Sequence, residues 1–311
     1  MLSCGQEADM ELRVLRYFIE VAREQNITAA AERLHVTQPT LSKQLIDLEN
    51  ELGKKLFVRG KRRTVLTEDG QFLYRRAQEI VDIADKTEAA FRATDEAIAG
   101  DVSVGCGETE GILPVIEAMK RVRAAHPDVR FHLYSGNGED VSARLDDGLV
   151  DFGLFVGNID LDKYDYIRLP YRDTWGLLMP SASPLAEKPH VTPADMEGIP
   201  LLCSRQAMLS NEMSGWLGQD FSKLNIISTH NLLHNAAIMV KAGMGYALAI
   251  DGLIGEEGGE LVFRPLEPRM EAVLTFAWKK HQVFSKAAAK FLEELLALLR
   301  EREDRTPRRA E

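Results

Sequence analysis

The chain has 311 residues, of which 45% are hydrophobic and 28% are charged, and its formal net charge is -10. This length predicts about two domains, and the composition is that of an ordinary globular protein. No apolar run approaches the ~18 residues that a membrane helix needs. The first residues lack the basic and apolar regions of a secretory signal, so we expect a cytoplasmic protein without membrane contact.

The three cysteines give no sign of a disulfide framework or a zinc knuckle. Cys4, Cys106 and Cys203 are far apart in sequence and form no C-x-x-C pair. We expect idle thiols, with a thiol sensor at Cys106 and Cys203 as the alternative. His230 and His234 are four residues apart on a predicted helix, which is compatible with a metal ion, but no third ligand accompanies them, so no metal is predicted.

Three short helices are predicted within the first 53 residues. Apolar residues at helical spacing indicate the first helix, and Thr28 is expected to cap the second. Thr37 is expected to cap the third, with Pro39 in its first turn, where a missing N–H costs nothing. Gly53 marks its end. One face of this third helix carries an apolar stripe of Leu41, Leu45, Leu48 and Leu52.

A hairpin is predicted at residues 57–66, where two β-prone runs flank Gly60. Its surroundings are strongly basic and contain no acid: Lys54, Lys55, Arg59, Lys61, Arg62 and Arg63. The overall negative charge therefore does not argue against nucleic acid, because phosphates respond to the local field. A basic run on its own is commonly only a solvated face.

The polar face of the third helix complements the basic hairpin. Near its N-terminus this face offers side chains that can reach base edges and phosphates: Gln38, Thr40, Lys43 and Gln44. A helix N-terminus also carries a positive partial charge that suits phosphate. Together these features predict a recognition helix in the major groove, with the hairpin as a wing beside it.

A long helix is predicted at residues 68–98, with Thr67 as its cap. Along it, small and apolar residues alternate steps of four and three: Leu73, Ala77, Ile80, Ala84, Thr87 and Phe91. This heptad-like seam favours packing against a partner helix. The alternative is a helix that packs on its own domain.

Beyond residue 101 strands and helices alternate, which predicts an α/β domain with mixed or parallel sheets covered by helices. The expected strands are 102–105, 129–134, 151–156, 175–179, 200–203, 225–229, 245–250 and 273–278. The expected helices are 112–125, 140–147, 208–217, 232–242 and 286–302.

Residues 10–70 closely resemble the N-terminal domain of LysR-type transcriptional regulators. The matching stretches are Leu15–Ala22, Thr28–Leu34, Thr37–Leu45, Leu48–Gly53, Leu56–Arg59 and Leu66–Gly70. The resemblance implies a mainly α winged helix-turn-helix DNA-binding domain at 10–67 and a linker and dimerisation helix at 68–98. It implies that the residues facing the groove are Gln38, Pro39, Thr40 and Lys43. It further implies that the contacts to the DNA backbone come from Thr28, Ser42, Arg59 and Arg62.

The resemblance extends more weakly over roughly 100–300. The matching stretches are Val102–Gly105, Leu113–Pro114, His126–Val129, Leu149–Leu154 and Val240–Leu248. They imply an effector-binding regulatory domain at 101–303, built of two α/β subdomains of periplasmic-binding-protein type with the ligand in the cleft between them. Residues 1–9 and 304–311 are predicted to be disordered.

Ligands of α/β folds bind where strands end and helices begin, which points to the turns after two predicted strands. The effector is expected to contact Cys106, Gly107, Glu108, Thr109, Phe155, Ser204 and Arg205. Hydroxyls and Arg205 can grip a carboxylate. Glu108 and Glu110 depart from the family pattern: either they favour a helix N-terminus or they recognise an amine or hydroxyl group. The charge of the effector therefore stays open.

Enzymatic alternatives have no motif to support them. No nucleophile elbow, phosphate loop or H-E-x-x-H motif is present. The prediction is a bacterial, non-enzymatic DNA-binding regulator whose activity a small molecule modulates, with no cofactor besides that effector. Its expected partners are double-stranded DNA, the effector and further copies of itself in a homodimer or homotetramer. RNA polymerase is a further candidate partner.

Overall fold

A computed structural model of the protein describes residues 10–60, 63–92, 98–208, 211–218, 223–254 and 259–305. The chain divides between Arg92 and Ala93 into two compact units. Within the described residues, no helix is both long and apolar enough to cross a membrane.

The described residues of the first unit form four helices and a hairpin. Its elements are α1 (Leu12–Glu24), α2 (Ile27–Arg33), α3 (Gln38–Glu51), β1 (Phe57–Arg59), β2 (Thr64–Leu66) and α4 (Glu68–Arg92). The helices enclose a core centred on Phe18, Leu41 and Leu45, none of which is exposed at all. The apolar stripe predicted on the third helix therefore faces this core, as its spacing requires.

The caps of these helices are partly as predicted. Thr37 caps α3 and accepts a hydrogen bond from the amide of Thr40. The expected cap of α2 was wrong: Asn26 occupies that position, and its carbonyl oxygen accepts from the amides of Thr28 and Ala29. An Asn side chain at this position reaches the first-turn amides, so the helix begins one residue before Thr28.

The seam predicted on the long helix divides into two parts. Leu73 and Ala77 are buried in the core of their own unit, whereas Ile80 is 41% exposed. The early part thus follows the alternative of packing within the domain. The side chain of Phe91 and residues 93–97 lie outside the described residues, and Ile98 is not helical.

The second unit is built on a mixed sheet with strand order β4-β3-β5-β11-β6-β9-β7-β8, and β10 also pairs with β6. The strands are β3 (Gly100–Cys106), β4 (Val129–Ser135), β5 (Phe152–Val156), β6 (Tyr164–Pro180), β7 (Leu201–Ser204), β8 (Ile226–His230), β9 (Tyr246–Ile250), β10 (Leu261–Pro265) and β11 (Glu271–Lys279). The helices are α5 (Leu113–Ala125), α6 (Gly138–Asp146), α7 (Arg205–Met208), α8 (Asn211–Leu217), α9 (Leu233–Lys241) and α10 (Lys286–Arg305).

This sheet serves two subdomains with separate cores. The first contains β3, β4, β5, β11, α5, α6 and α10, around Phe152 and Phe291. The second contains β7 to β10 and α7 to α9, around Met196 and Leu248. β6 belongs to both: it pairs with β11 up to Thr174 and with β9 and β10 from there on.

The sequence pattern missed the first eleven residues of β6 and all of β10. Pro170 interrupts the first of these segments, and a proline demotes a strand assignment because it cannot donate to the ladder. The strand tolerates Pro170 because the pairing with β11 shifts register between Val273 and Thr275. Of the helix predicted at 208–217, the described part consists of the last residue of α7 and the whole of α8.

Candidate functional site

The leading face of α3 is polar and exposed. Gln38, Pro39, Thr40 and Lys43 are all exposed. On the opposite side of the same helix Leu41 and its two successors in the stripe are buried. The helix is therefore anchored from behind while its first turns present hydrogen-bonding groups to the surroundings, which is the arrangement of a recognition helix.

Two of the four residues predicted to contact the DNA backbone have described side chains. Thr28 is exposed in the first turn of α2, and Ser42 is half-buried. Arg62 and the side chain of Arg59 lie outside the described residues. Between α2 and α3, His35 adopts a left-handed backbone with a φ of 54°, which makes the turn between the two helices sharp.

A buried carboxylate fixes the base of the hairpin. Glu49 is 3% exposed, and its Oε1 accepts from the amides of Leu56 and Phe57 at 2.9 and 3.2 Å. Its Oε2 accepts from Lys55 Nζ at 2.9 Å. Burial alone would raise the pKa of Glu49, but the hydrogen bonds from Lys55 and the two amides hold this pKa below its ordinary value.

Gly70, in the first turn of α4, allows that helix to approach the start of β1 closely. A Cβ on Gly70 would lie 2.1 Å from the carbonyl oxygen of Leu56. That oxygen also accepts from the amide of Thr67 at 2.9 Å, so the start of α4 lies directly against β1. Only glycine permits so close an approach of helix and strand.

The second unit contains a cleft between its subdomains, with an empty volume of about 660 Å³. One side is lined by Gly107, Glu108, Asn137 and Val156 of the first subdomain. The other wall is formed by residues of the second subdomain: Ser204, Arg205, His230, Asn231, Leu232, Leu233, Leu248, Ala249, Ile250 and Leu253. Trp175 stands where β6 passes from one subdomain to the other. A mostly apolar pocket with a few polar groups is typical of small-molecule sites.

Four of the seven predicted effector contacts line this cleft: Gly107, Glu108, Ser204 and Arg205. Their neighbour Cys106 does not, because it is 3% exposed and packs in the core of the first subdomain. Thr109 is 6% exposed and caps the short turn that follows, accepting from the amide of Gly111.

Phe155 also lies away from the cleft. It is 1% exposed and packs beside Tyr164 in the core behind β5. Successive residues of a strand point to opposite faces, so Val156 lines the cleft in its place.

Both described thiols are poorly suited to redox chemistry. Burial raises the pKa of Cys106, and it raises the pKa of Cys203 to about 12. A thiolate is the reactive form of cysteine, so neither side chain is an activated nucleophile.

The sequence did not reveal several residues of the cleft, among them Asn137, Trp175 and His230. Asn137 caps α6, which begins close to the cleft, and the Asn-Gly pair was a signal that could have been used. His230 ends β8 and does not share a helix with His234, so the two do not form the arrangement required for a metal. Burial lowers the pKa of His230, and its Nδ1 has no hydrogen-bond partner.

Glu108 makes a contact that spans the cleft. It follows β3 of the first subdomain, and its Oε2 accepts from the amide of Leu233, the first residue of α9, at 2.8 Å. The alternative in which this acid favours the helix N-terminus of its own turn was wrong for Glu108, because the helix that it contacts begins 125 residues further along the chain.

A second acidic group lies at the crossing between the subdomains. Asp173 is 6% exposed, and its Oδ2 has no hydrogen-bond partner. Burial raises its pKa to about 6, and the nearby Asp251 and Glu110 add to that rise, whereas a hydrogen bond from Thr109 opposes it. Within the described residues, no three acidic, histidine or cysteine side chains are placed so that they could hold a metal ion.

The two units match two family models. Residues 12–71 match the bacterial regulatory helix-turn-helix protein model of the lysR family, and residues 95–300 match the LysR substrate binding domain. A helix-turn-helix joined to a two-subdomain binding domain defines a ligand-responsive DNA-binding regulator. The chain belongs to the LysR family of bacterial transcriptional regulators.

Individual relatives agree with this assignment. The Hca operon transcriptional activator HcaR of Escherichia coli is 30% identical over 301 residues, which is 94% of this chain and 98% of that protein. The regulator BudR of Klebsiella aerogenes is 36% identical over 143 residues, 46% of this chain and all of that protein. Full-length CbnR, solved with its target DNA, has the same fold with a TM-score of 0.69 at 20% identity, over 93% of this chain and 100% of CbnR.

Proposed function

We propose that this protein binds a specific double-stranded DNA site through the leading face of α3. The observation that carries the proposal is the division of α3 into a buried leucine stripe and an exposed polar face. Gln38 and Thr40 suit base edges, whereas Lys43 suits a guanine edge or a phosphate. The hairpin, with Arg63 exposed beside it, would follow the adjoining backbone.

Association between copies is the second part of the proposal. Phe72, Ile80 and Ile83 are 60%, 41% and 40% exposed along α4. A long helix with such residues outside the core of its own unit is suited to pack against a second copy. A homodimer would place two recognition helices on two half-sites, and a homotetramer would engage two such pairs.

The cleft of the second unit is proposed to bind a small-molecule effector without transforming it. Its lining is largely apolar, and Arg205, Asn137 and Ser204 supply directional groups. Effector binding would act on DNA by favouring one arrangement of the copies over another. Such a regulator would act in the cytoplasm, where bacterial DNA is found, and would touch RNA polymerase when it activates a promoter.

The first step of the experiment is to select a DNA sequence that the protein binds, because the protein chain does not specify its operator. Full-length protein is used to enrich binding sites from a pool of randomised duplexes, and the enriched duplex is titrated at several salt concentrations. Lys43→Ala should weaken binding by about 1–3 kcal/mol if it reads a base, or lower the salt slope by about 0.9 if it neutralises a phosphate.

The matched control is Lys223→Ala, which removes one exposed lysine from the second unit. It should leave both affinity and salt slope unchanged. Equal effects of the two substitutions, or no enrichment of any sequence by the wild-type chain, would contradict the proposed mode of DNA recognition.

A further inference from the structure

The contact between Glu108 and α9 joins the two walls of the cleft. Glu108 extends from the end of β3, whereas Leu233 opens α9 on the opposite subdomain. The carboxylate oxygen and the amide nitrogen are 2.8 Å apart, which is the distance of a charge-assisted hydrogen bond. The side chain lies half-buried among the lining residues of the cleft.

The N-terminus of α9 has no such group of its own. Its N-cap is Leu232, which has no polar side chain, and no acid stands in its first turn. The side chain of Asn231 accepts from the amide of Leu232, immediately before the helix. The first amides of a helix need acceptors and favour negative charge, so Glu108 supplies from across the cleft what the local sequence omits.

We infer that Glu108 is the specificity-determining residue of the cleft. Its carboxylate already occupies the position at the N-terminus of α9 where the carboxylate of an acidic effector would otherwise bind. The cleft therefore excludes effectors that present a carboxylate at this end. It selects effectors that present a hydrogen-bond donor, such as an amine, amide or hydroxyl, to Glu108. This inference rests on the proposed role of the cleft as the effector site.

The exclusion has two physical causes. Glu108 is part of the chain, so its effective concentration at α9 is in the millimolar range or above, and a free carboxylate must compete with it. A second carboxylate would also be placed close to the first in a partly desolvated cleft, where like charges repel strongly. Arg205 lines the same cleft and leaves room for an anionic group elsewhere in it.

The experiment tests whether a free carboxylate can bind at the N-terminus of α9 once Glu108 has been replaced. The probes are acetate and its neutral isostere acetamide, added to the full chain at constant ionic strength. Concentrations on the order of 100 mM are used, because so small a ligand makes few contacts and is expected to bind weakly. Thermal unfolding and hydrogen exchange of the first amides of α9 are measured.

Glu108→Ala should make the amide of Leu233 exchange faster, and acetate should restore its protection and raise the Tm of this variant by about 2 °C or more. Acetamide should do neither. In the wild-type chain, acetate should not change the exchange of the Leu233 amide, because Glu108 already accepts from that amide. Glu197→Ala removes an exposed acid from the second subdomain and should behave as wild type.

An equal response of wild type and Glu108→Ala to acetate would overturn the inference, as would no response of either. Should Glu108→Ala fail to fold, Glu108→Gln keeps the length of the side chain and one acceptor. The Leu233 amide should then exchange about tenfold faster than in wild type, since the charge is lost; unchanged exchange would overturn the inference. None of these measurements uses DNA, so failure of the proposed DNA recognition would be seen separately.

Discussion

The two units treat their buried carboxylates in opposite ways. Among the described residues, Glu49 and Asp173 are the only buried acidic side chains. Both oxygens of Glu49 accept hydrogen bonds, and its pKa is lowered. One oxygen of Asp173 has no partner, and its pKa is raised to about 6.

In the first unit the buried carboxylate has its hydrogen bonds and holds the hairpin in place. In the second unit the buried carboxylate lacks a partner for one oxygen, which is unfavourable in free energy. A satisfied buried carboxylate stabilises the hairpin of the first unit, which must hold a fixed position beside α3. An unsatisfied one lies where β6 passes between the subdomains, and native structures tolerate such groups mainly at functional positions. Three substitutions test this comparison.

Gly70→Ala should have the largest effect, because the added methyl group acts directly on the contact between α4 and the start of β1. The new Cβ would stand 2.1 Å from the carbonyl oxygen of Leu56, and neither α4 nor β1 can yield without disturbing the other. We expect the first unit to lose about 3 kcal/mol of its free energy of unfolding. Differential scanning calorimetry of the full chain would show this as an earlier transition.

The matched control is Gly215→Ala in α8, where open space surrounds the position of the new Cβ. This helical position should gain up to about 1 kcal/mol from the change. If Gly70→Ala were tolerated as well as Gly215→Ala, the hairpin would not be fixed in the way described.

Asp173→Asn should stabilise the second unit at pH 7 by about 2 kcal/mol, because the substitution removes a charge that burial disfavours. The sign of the pH dependence follows from the raised pKa. Stability from the protonated acid is complete below the ordinary pKa of aspartate and is lost as the pH rises through about 6. The wild-type second unit should therefore become more stable between pH 7 and pH 5, and calorimetry at both values measures this.

In Asp173→Asn that gain on acidification should disappear. A variant at an exposed acid, Asp128→Asn, changes the same charge and should keep the wild-type pH dependence. Destabilisation by Asp173→Asn at pH 7 would mean that the ionised form is favoured in the folded state, contrary to the geometry.

Glu49→Gln should have the smallest effect, a loss of about 1 kcal/mol in the first unit. The amide oxygen can still accept from Leu56, but the charge-assisted part of the bonds is lost. With a lowered pKa, the contribution of Glu49 is present above the ordinary pKa of glutamate and is lost as the pH falls through the lower, folded value. Hydrogen exchange of the Leu56 and Phe57 amides reports on it locally.

The control for this change is Glu51→Gln, an exposed acid two residues further along. It should leave the exchange of both amides unchanged. Equal protection in wild type and Glu49→Gln would show that the carboxylate does not hold the hairpin.

The DNA-binding surface could be predicted from the sequence because its parts are adjacent in the chain. Thr37 and Lys43 lie within two helical turns, so spacing alone places them on one surface. The apolar stripe of the same helix fixes which side is inward. Among the described residues of this surface, the cap of α2 was misplaced, although Asn is preferred over Thr at an N-cap and propensity alone would have favoured Asn26.

The cleft could be predicted only in part, because it is assembled from segments far apart in the chain. Strand ends located Gly107 and Ser204. The choice between Phe155 and Val156 depends on which face of β5 turns inward, and a one-residue difference reverses it. The contact of Glu108 with Leu233 has no local signature, since it exists only when the subdomains are assembled.

The path of β6 makes the second subdomain an insertion within the first. The chain enters it near Trp175 and leaves it between Pro265 and Glu271, whereas β3 and α10, at the two ends of the unit, both belong to the first subdomain. One contiguous cassette, residues 175–265, therefore carries an entire wall of the cleft. Exchange of that cassette between relatives would replace this one wall of the cleft and leave Glu108, on the opposite wall, unchanged.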